Sequence, residues 1–471
     1  MNKVRVSQGV LAPPGPPTAA APSRPEPGPG QGGAAAPGAA PGAGARLGWL
    51  DALRGFAALA VVFQHSGPVL LPGLYRSSHQ QLDAGIFGVF LFFLISGYIV
   101  PASLERRGDL RAFWTGRVFR IYPLYLVVFA LALLLPRAHA GVGPEVFQHP
   151  WLSAAADGVL LQDLLGVQNG LAVSWTLCYE MVFYFLVSAL FLLRLHRRSA
   201  PVAVGFAATA LLLGGVLPTA WLLRGPVRQD WLVGAVALVV VAALAAVLGG
   251  RTVALRVGVA VLGLVGLLLV TVNGRSAVFE SMMILATMFT GTVVQRAESG
   301  QIGRWYAAAC CGLVFLAGLA SGLRYGGQSL NLVWTASAKS WCTAFAAAWL
   351  VFGLGLLFLR GRRVPRALCR LGAISYAVYL VHVPLLSVVN WIMADNHDSL
   401  EHRPVRQLLC EGVFVAVVLL LAEALHRLVE LPGQRLGRRV LRWSSGQSAE
   451  RPAGPVAGYE GKPNLAGQSP G

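Results

Sequence analysis

The first long apolar segment of the chain reads Leu50-Asp51-Ala52-Leu53-Arg54-Gly55-Phe56-Ala57-Ala58-Leu59-Ala60-Val61-Val62-Phe63-Gln64-His65. The segment predicts a membrane-spanning helix, yet it carries Arg54 and His65 eleven residues apart. Eleven residues of helix make about three turns and about 16 Å of rise, so the two side chains lie on nearly the same face at different depths. An ionisable group costs several kcal/mol at the bilayer centre and therefore needs a partner, a cavity or a function. The spacing predicts a polar route into the membrane.

The composition is that of a polytopic membrane protein. Of 471 residues, 55% are hydrophobic and only 12% are charged, and the mean hydropathy is +0.62. Soluble domains carry about 25% charged residues. The net charge of +18 is compatible with a nucleic-acid partner. The arginines, however, cluster at the ends of apolar runs, which favours a topology signal. The six cysteines lack metal-ligand spacing and predict reduced, buried side chains without a metal centre.

Apolar runs predict an all-α polytopic fold with about 10 to 12 transmembrane helices. The runs lie near 48–67, 84–104, 121–136, 172–193, 202–223, 232–248, 255–272, 277–295, 305–321, 340–359, 371–393 and 407–429. Every even-numbered run ends in basic residues, whereas the odd ends are poorer in charge or acidic, as at 395–398. Since cytoplasmic loops carry an excess of arginine and lysine, both termini are predicted to be cytoplasmic.

Three regions follow from this pattern. Residues 1–46 form a Pro/Ala/Gly-rich tract, which predicts a disordered cytoplasmic tail without the apolar core of a signal peptide. Residues 47–440 form the transmembrane domain, and residues 441–471 are predicted to be a second disordered cytoplasmic tail.

The largest predicted outer loop spans residues 137–171 and is long enough to fold over the outer face or partly re-enter the membrane. Four of its residues are candidates to meet an acceptor, although a solvated loop is the simpler interpretation for each of them. They are Glu145, His149, Asp157 and Asp163.

Three acid–base groups are predicted at membrane depth on separate helices, namely His65, Glu180 and His382. A histidine and a glutamate would make a general base and its orienting carboxylate, able to take a proton from a hydroxyl acceptor. A lone intramembrane histidine more often bonds a backbone carbonyl or a neighbouring helix. The three groups together with Arg54 favour function, although the tyrosines around His382 offer it a packing hydrogen bond.

Two arginines, Arg117 and Arg120, share a helix face at the predicted cytoplasmic surface. Guanidinium groups suit phosphates through their planar, multi-donor geometry. With Arg106, Arg107 and Arg111 nearby, this cluster is a candidate to receive the phosphates of a nucleotide-bearing donor. Contact with lipid headgroups is the alternative.

The order of motifs along the chain is more specific than any one motif. The motifs are Arg54 with His65, Phe-Leu-Ile-Ser-Gly-Tyr at 93–98, Arg-Val-Phe-Arg-Ile-Tyr-Pro at 117–123, Trp-Thr-Leu-Cys-Tyr-Glu at 175–180, Ile-Ser-Tyr-Ala-Val-Tyr-Leu-Val-His at 374–382 and Glu-Leu-Pro at 430–432. This series resembles the acyltransferase-3 family of integral membrane O-acyltransferases over about residues 47–440. Members modify polysaccharides, lipid-linked sugars, Nod-factor-like oligosaccharides and macrolide sugars.

The resemblance implies acyl-CoA, usually acetyl-CoA, as a co-substrate that approaches from the cytoplasm, with no bound cofactor. It implies transfer to a hydroxyl, often at the outer side of the membrane, with the histidine of the Arg–ten residues–His pattern taking part. The candidate catalytic residues are His65, Glu180 and Arg54. The candidate acyl-CoA-binding residues are Arg117, Arg120 and Arg107. Further candidates are Trp175, Tyr122, Tyr376 and His382.

Two features depart from the family pattern. Such proteins commonly have about ten core spans, against twelve predicted runs here. Some members also carry a C-terminal extracytoplasmic hydrolase-like domain, whereas this sequence ends about thirty residues after the predicted transmembrane domain. We therefore expect the protein to complete transfer alone or to hand the acyl group to a separate extracytoplasmic partner.

A proton-coupled secondary transporter is the alternative function, because twelve runs with both ends inside and buried histidine and glutamate suit that class. Against it, no two-half repeat is evident, and acyl-CoA binding discriminates the two. A structural scaffold would instead tolerate alanine at the arginine and histidine positions. Lysine occurs only at positions 3, 339 and 462, which suggests a GC-rich bacterial genome and a cytoplasmic (inner) membrane. A polysaccharide, a lipid-linked glycan, a peptidoglycan sugar and a glycosylated small molecule remain open as the acceptor.

Overall fold

A computed structural model describes residues 48–135, 141–216, 228–272, 278–326, 337–393 and 403–444. Within these ranges the protein is built from helices and their connections. The tail predicted at 1–46, the acidic segment at 395–398 and the last residues from 445 onwards lie outside the described residues. Residues 441–444, predicted as part of the C-terminal tail, continue a helix.

The α-helices are, in chain order, α1 (Gly48–Leu70), α2 (Pro72–His79), α3 (Ala84–Arg107), α4 (Leu110–Leu133), α5 (Glu145–Gln148), α6 (Pro150–Gly158), α7 (Trp175–Leu192), α8 (Ser199–Leu213), α9 (Gln229–Gly249), α10 (Thr252–Val272), α11 (Val278–Glu298), α12 (Arg304–Tyr325), α13 (Ala338–Leu354), α14 (Arg366–Ala373), α15 (Ser375–Met393), α16 (Pro404–Leu425) and α17 (Leu431–Ser444). Short 3₁₀ helices lie at Asp163–Leu165, Ala172–Ser174 and His196–Arg198. Two π-helical turns lie at Gly355–Leu359 and His426–Glu430.

In the described part of the chain, 10 helices are long and apolar enough to cross a membrane. They are α3, α4, α7 with the 3₁₀ turn before it, α9, α10, α11, α12, α13 with its π turn, α15, and the continuous stretch from α16 to α17. In the described residues, each of the twelve predicted runs lies mainly on helix. The two that are not among the ten are α1, which carries several polar residues, and α8, which is described over 15 residues.

Helices α3 and α11 cross in direct backbone contact. A Cβ added at Gly97 would lie 1.7 Å from the Met288 carbonyl oxygen, and one at Gly291 would lie 2.2 Å from the Leu94 oxygen. The Thr292 hydroxyl donates to the Gly97 carbonyl at 2.9 Å. Small residues that allow this approach are the usual means of helix association in a membrane. The Ser-Gly pair in the sequence therefore belongs to a packing interface.

The arginine-rich helix ends meet at one end of the bundle, here called the basic end. Arg296 of α11 pairs with Glu105 of α3, and Arg360 pairs with Glu298. Helix α3 ends in Arg106 and Arg107 at the same end. Helix α1 packs on α3, α14 and α15, which places Arg54 nearer the basic end and His65 nearer the opposite end.

Parts of the segment between α4 and α7 are buried in the protein, so the simpler interpretation of a solvated loop is wrong for two of its acidic residues. Asp157 and Asp163 are buried, whereas His149 is exposed. The Asp157 carboxylate accepts hydrogen bonds from the Tyr125 hydroxyl at 2.9 Å and from the Gly170 N–H at 3.1 Å. Burial raises the pKa of Asp157 to about 6, because the charged form loses its water.

Candidate active site

A cavity of about 660 Å³ lies where α1, α3, α4, α7 and α15 converge, and we call it the central cavity. Its polar lining residues are Arg54, Ser96, Arg120, Thr176, Glu180, Tyr184, Ser375, Tyr376 and Tyr379. Four of the residues singled out from the sequence therefore meet in one place, namely Arg54, Arg120, Glu180 and Tyr376.

Two guanidinium groups face this cavity with their hydrogen-bond donors free. Within the described residues, neither Arg54 nor Arg120 has a hydrogen-bond or ion-pair partner at contact distance. Arg54 instead lies within electrostatic range of carboxylates on three helical segments, those of Asp51, Glu180 and Glu430. Such donors suit an anionic or carbonyl-bearing ligand.

A second, wider cavity of about 2060 Å³ opens at the basic end, and we call it the vestibule. Its charged lining residues are Asp51, Arg54, Glu105, Arg106, Arg197, Glu298 and Arg360. Arg54 lines the vestibule and the central cavity, so the two spaces adjoin at this side chain.

Two histidines contact each other beyond the central cavity. His382 Nε2 lies 3.2 Å from His65 Nδ1. His65 Nδ1 also lies 2.9 Å from the Val61 carbonyl oxygen, and His382 Nδ1 lies 3.1 Å from the Val378 oxygen. A carbonyl oxygen only accepts, so each Nδ1 carries the hydrogen. His382 Nε2 is then an acceptor for His65, and His65 Nε2 keeps a free lone pair with which to act as a base.

The histidine pair adjoins the end of the central cavity away from Arg54. Tyr379 lines the cavity one turn before His382 on α15, and their ring centroids are 6.0 Å apart. The Tyr379 hydroxyl donates to the Val173 oxygen at 3.0 Å and is 2.8 Å from the Thr176 hydroxyl. A path that starts at the basic end therefore passes first through the vestibule, then past Arg54 into the central cavity, and finally reaches the histidine pair.

The sequence predicts that the carboxylate of Glu180 orients His65, but the structure places a different side chain next to His65. Glu180 accepts a hydrogen bond from Tyr184, one turn along the same helix, and faces Arg54 across the cavity. His65 is oriented by His382 instead, because α15 packs against α1 at the depth of His65.

The three arginines predicted to bind phosphates do not form one site. The guanidinium of Arg117 lies over the rings of Phe113 and Tyr184, 5.2 and 5.0 Å from their centroids. It also donates to the Ser103 hydroxyl at 3.3 Å, so this side chain is held by the protein. Arg120 faces the central cavity, and Arg107 is exposed at the end of α3.

The vestibule arginines are different residues, Arg106, Arg197 and Arg360. Sequence reasoning used Arg197 and Arg360 only as topology signals. It could not select them, because their convergence depends on how the helix ends meet.

The remaining aromatic candidates have packing contacts. The Tyr376 hydroxyl donates to the Ile121 oxygen at 2.9 Å and joins α15 to α4 beside the cavity. Trp175 packs edge-on against Tyr179, with centroids 6.1 Å apart. Tyr122 is partly buried on α4, and its nearby groups include Cys178.

Comparison with known proteins shows that the chain is similar to acyltransferases. Residues 47–423 match the model of the family described as an acyltransferase domain. The chain is 33% identical over 154 residues to the acyltransferase MdmB of Streptomyces mycarofaciens, covering 30% of this chain and 38% of that protein. It is 27% identical over 173 residues to the putative peptidoglycan O-acetyltransferase YrhL of Bacillus subtilis, covering 32% and 26%. It is 31% identical over 90 residues to the O-acetyltransferase OatA of Staphylococcus aureus, covering 18% and 13%.

These matches span well under two thirds of the relatives' own lengths. No solved structure matches the chain.

Proposed function

The chain belongs to the acyltransferase-3 family of multi-pass membrane O-acyltransferases, and we propose that it moves an acyl group, most simply acetyl, from cytoplasmic acyl-CoA to a hydroxyl of a sugar-containing acceptor. One observation carries the proposal. Arg54 borders both the vestibule and the central cavity, and a histidine with a free lone pair lies beyond the cavity's far end.

The two spaces differ in a way that suits the two ends of acyl-CoA. The vestibule is about three times larger, and its arginines Arg54, Arg106, Arg197 and Arg360 outnumber its acids Asp51, Glu105 and Glu298. Arg106 and Arg197 have no acidic partner among the described ion pairs, which supports binding of a nucleotide with phosphates there. The central cavity is narrower and suits the extended pantetheine arm, with the free donors of Arg54 and Arg120 facing it. The basic end would then be cytoplasmic, as the positive-inside pattern predicts.

Helix geometry favours a donor-binding role for Arg54 over stabilisation of negative charge that develops during the reaction. His65 lies about 16 Å further along α1, beyond the reach of an arginine side chain. The proposed role of Arg54 is therefore to bind the donor in the channel, and not to stabilise the oxyanion that would form next to His65.

The chemistry at His65 follows from its tautomer. Its Nε2 takes the proton of the acceptor hydroxyl as the hydroxyl oxygen attacks the thioester carbonyl. The tetrahedral intermediate collapses with cleavage of the C–S bond, and CoA leaves as the thiolate, which recovers the proton from the His65 imidazolium. The Val61 carbonyl keeps the hydrogen on His65 Nδ1, and His382 helps to hold the ring in the orientation that this proton transfer needs.

The acceptor class rests on the relatives. One of them is named a peptidoglycan O-acetyltransferase and another an O-acetyltransferase. We propose a glycan acceptor, either a polysaccharide, a lipid-linked glycan or a glycosylated small molecule. The acceptor would lie at the outer face of a bacterial cytoplasmic membrane, opposite the basic end of the protein. A separate extracytoplasmic partner would be needed only if the acyl group is passed on from this first acceptor.

The test uses proteoliposomes in which the protein has one known orientation. Acetyl-CoA carrying a labelled acetyl group is supplied at the basic end, and an extract of the host's glycans is supplied at the other. The proposal expects label in the glycan and its loss in Arg54→Gln, with Arg304→Gln as control because Arg304 is exposed at the start of α12. Proton-dependent uptake of a solute without acetyl-CoA binding would replace the proposal with the transporter.

A further inference from the structure

The α3 wall of the central cavity changes its chemistry along the cavity. Its lining residues are Val89, Phe92, Phe93 and Ser96, whose spacing puts them on one face of the helix. Since α3 ends at the basic end, Ser96 lies nearest to that end. Val89 lies about 10 Å further away from it, at about 1.5 Å of rise per residue. The wall therefore changes from polar to apolar in the direction of the histidine pair.

The α7 wall shows the same change. Helix α7 leads towards the vestibule, and Thr176 and Leu177 lie in its first turn, away from the basic end. Glu180 and Tyr184 follow one and two turns later, nearer to the vestibule. Among the described residues that line the central cavity, no charged side chain lies at the end next to the histidine pair. The apolar lining residues of that end are Val89, Phe92, Phe93 and Leu177, and we call the space between them the apolar pocket.

The two hydroxyl groups beside the apolar pocket already have partners. The Tyr379 hydroxyl donates its hydrogen to the Val173 oxygen at 3.0 Å. The Thr176 hydroxyl is 2.8 Å from the Tyr379 hydroxyl and 3.3 Å from the same Val173 oxygen, so its own hydrogen goes to one of these two acceptors. Neither hydroxyl has a hydrogen left for a ligand. The pocket therefore offers a ligand apolar contact and no free donor.

The ring of Phe92 limits the length of the apolar pocket. It meets the Tyr379 ring edge-on, with centroids 6.0 Å apart and an angle of 77° between the rings. Tyr379 is buried against His382 and is held by its bond to Val173, so it supports Phe92 from behind. Of the four apolar lining residues, Phe92 alone is only partly buried. Its ring is therefore the surface that a chain in the pocket would meet.

The acyl group is the part of acyl-CoA that lies farthest from the phosphates. A donor whose phosphates occupy the vestibule would therefore bring its acyl group to the end of the central cavity next to the histidine pair. We propose that the apolar pocket binds the acyl chain of the donor and that Phe92 restricts this chain to a short one, acetyl or propionyl. A saturated chain gains free energy by leaving water for such a pocket, and it loses free energy once it must displace a packed ring. This inference rests on the proposed function and adds the specificity for the donor.

The test compares two donors in the same assay. The ratio of kcat/KM for butyryl-CoA to kcat/KM for acetyl-CoA is measured in lipid with one glycan extract. One methylene in an apolar pocket changes kcat/KM by about 10- to 200-fold, so wild type should prefer acetyl-CoA by at least about tenfold. Phe92→Ala should raise the ratio at least about tenfold in favour of butyryl-CoA. Phe358→Ala is the matched control, because Phe358 is an exposed phenylalanine in the π turn after α13, and it should leave the ratio unchanged.

Binding measurements separate contact with the chain from a general change in the site. In Phe92→Ala, the Kd for butyryl-CoA should fall about tenfold, because the chain gains room in the pocket. The Kd for CoA itself should stay the same, since CoA carries no acyl chain. A purely structural effect of the substitution would weaken CoA and both thioesters alike, and that result would refute the role of Phe92. This readout needs neither an acceptor nor turnover.

An unchanged ratio in a folded Phe92→Ala that still uses acetyl-CoA would overturn this inference and leave the proposed function standing. Wild type that uses butyryl-CoA as well as acetyl-CoA would overturn it too. If wild type binds neither CoA nor any thioester, the proposed function itself fails. If Phe92→Ala does not fold, Val89→Ala decides, because it widens the same pocket one turn away. Its ratio should rise at least about threefold, and no rise would refute the inference.

Discussion

Replacing His382 by leucine removes one defined interaction of the proposed base. His382 Nε2 accepts from His65 Nδ1 at 3.2 Å, and His382 is fully buried. Leucine has a similar size and no acceptor, so the site should stay packed. The variant therefore reports the contribution of the bond between the two rings.

The expected loss of rate in His382→Leu depends on the contacts that His65 keeps in the variant. A net buried hydrogen bond contributes about 1–1.5 kcal/mol, which corresponds to a loss of about tenfold in rate. The Val61 carbonyl still binds His65 Nδ1 at 2.9 Å and keeps its hydrogen on that nitrogen. The loss should therefore stay near tenfold, whereas removal of the base itself in His65→Ala should cost about 10²- to 10⁴-fold.

The assay is the initial rate of acceptor-dependent thiol release from acetyl-CoA by purified protein in lipid. His382→Gln, whose side-chain oxygen can accept, should lose less than His382→Leu. His149→Leu is the control, because His149 is an exposed histidine outside the site. A loss as large as that of His65→Ala would mean that His382 itself contacts the reacting groups, and no loss would refute the orienting role.

Three further predictions concern binding, stability and pH. Arg117→Gln should lower the thermal midpoint, because the cation–π contacts of Arg117 contribute about 0.5–2 kcal/mol. Arg120→Gln should instead mainly raise KM for acetyl-CoA. If both variants change the midpoint and KM equally, Arg117 and Arg120 do not have the different roles assigned to them. Burial raises the pKa of Asp157 in the folded protein to about 6. The contribution of Asp157 to the free energy of unfolding is therefore fully present below about pH 4 and is lost as the pH rises through about 6. The total change is on the order of 3 kcal/mol. Asp157→Asn should therefore flatten the dependence of the unfolding midpoint on pH between about 4 and 7, and an unchanged slope would refute this. Gly97→Ala should prevent stable folding, because the new methyl group would collide with the Met288 carbonyl, and a folded, wild-type-like variant on size-exclusion chromatography would contradict that packing.

Local sequence was enough to predict the helices and part of the cavity. Hydropathy located twelve runs whose described residues lie mainly on helices, and helical spacing predicted that Arg54 and His65 share a face of α1. The structure brings Arg54, Arg120 and Glu180 to one cavity. Their function as a site remains a prediction that these experiments test.

Tertiary contacts explain what the sequence missed. The two histidines are 317 residues apart, and no local pattern indicates that α15 crosses α1 at His65 rather than at another turn. Arg117 and Arg120 look alike in sequence, and only the position of the Tyr184 ring separates a side chain held by the protein from one that faces a cavity. Glu430 was visible as part of a motif, but its contact with His426 within a π turn was not.

The most direct test of the central claim is the comparison of wild type with His65→Ala in acceptor-dependent thiol release from acetyl-CoA, with both proteins in lipid and both shown to bind acetyl-CoA equally. The account predicts release by wild type that requires a glycan acceptor and falls by at least about a hundredfold in the variant. Full release by His65→Ala would contradict the assignment of His65 as the base that activates the acceptor hydroxyl.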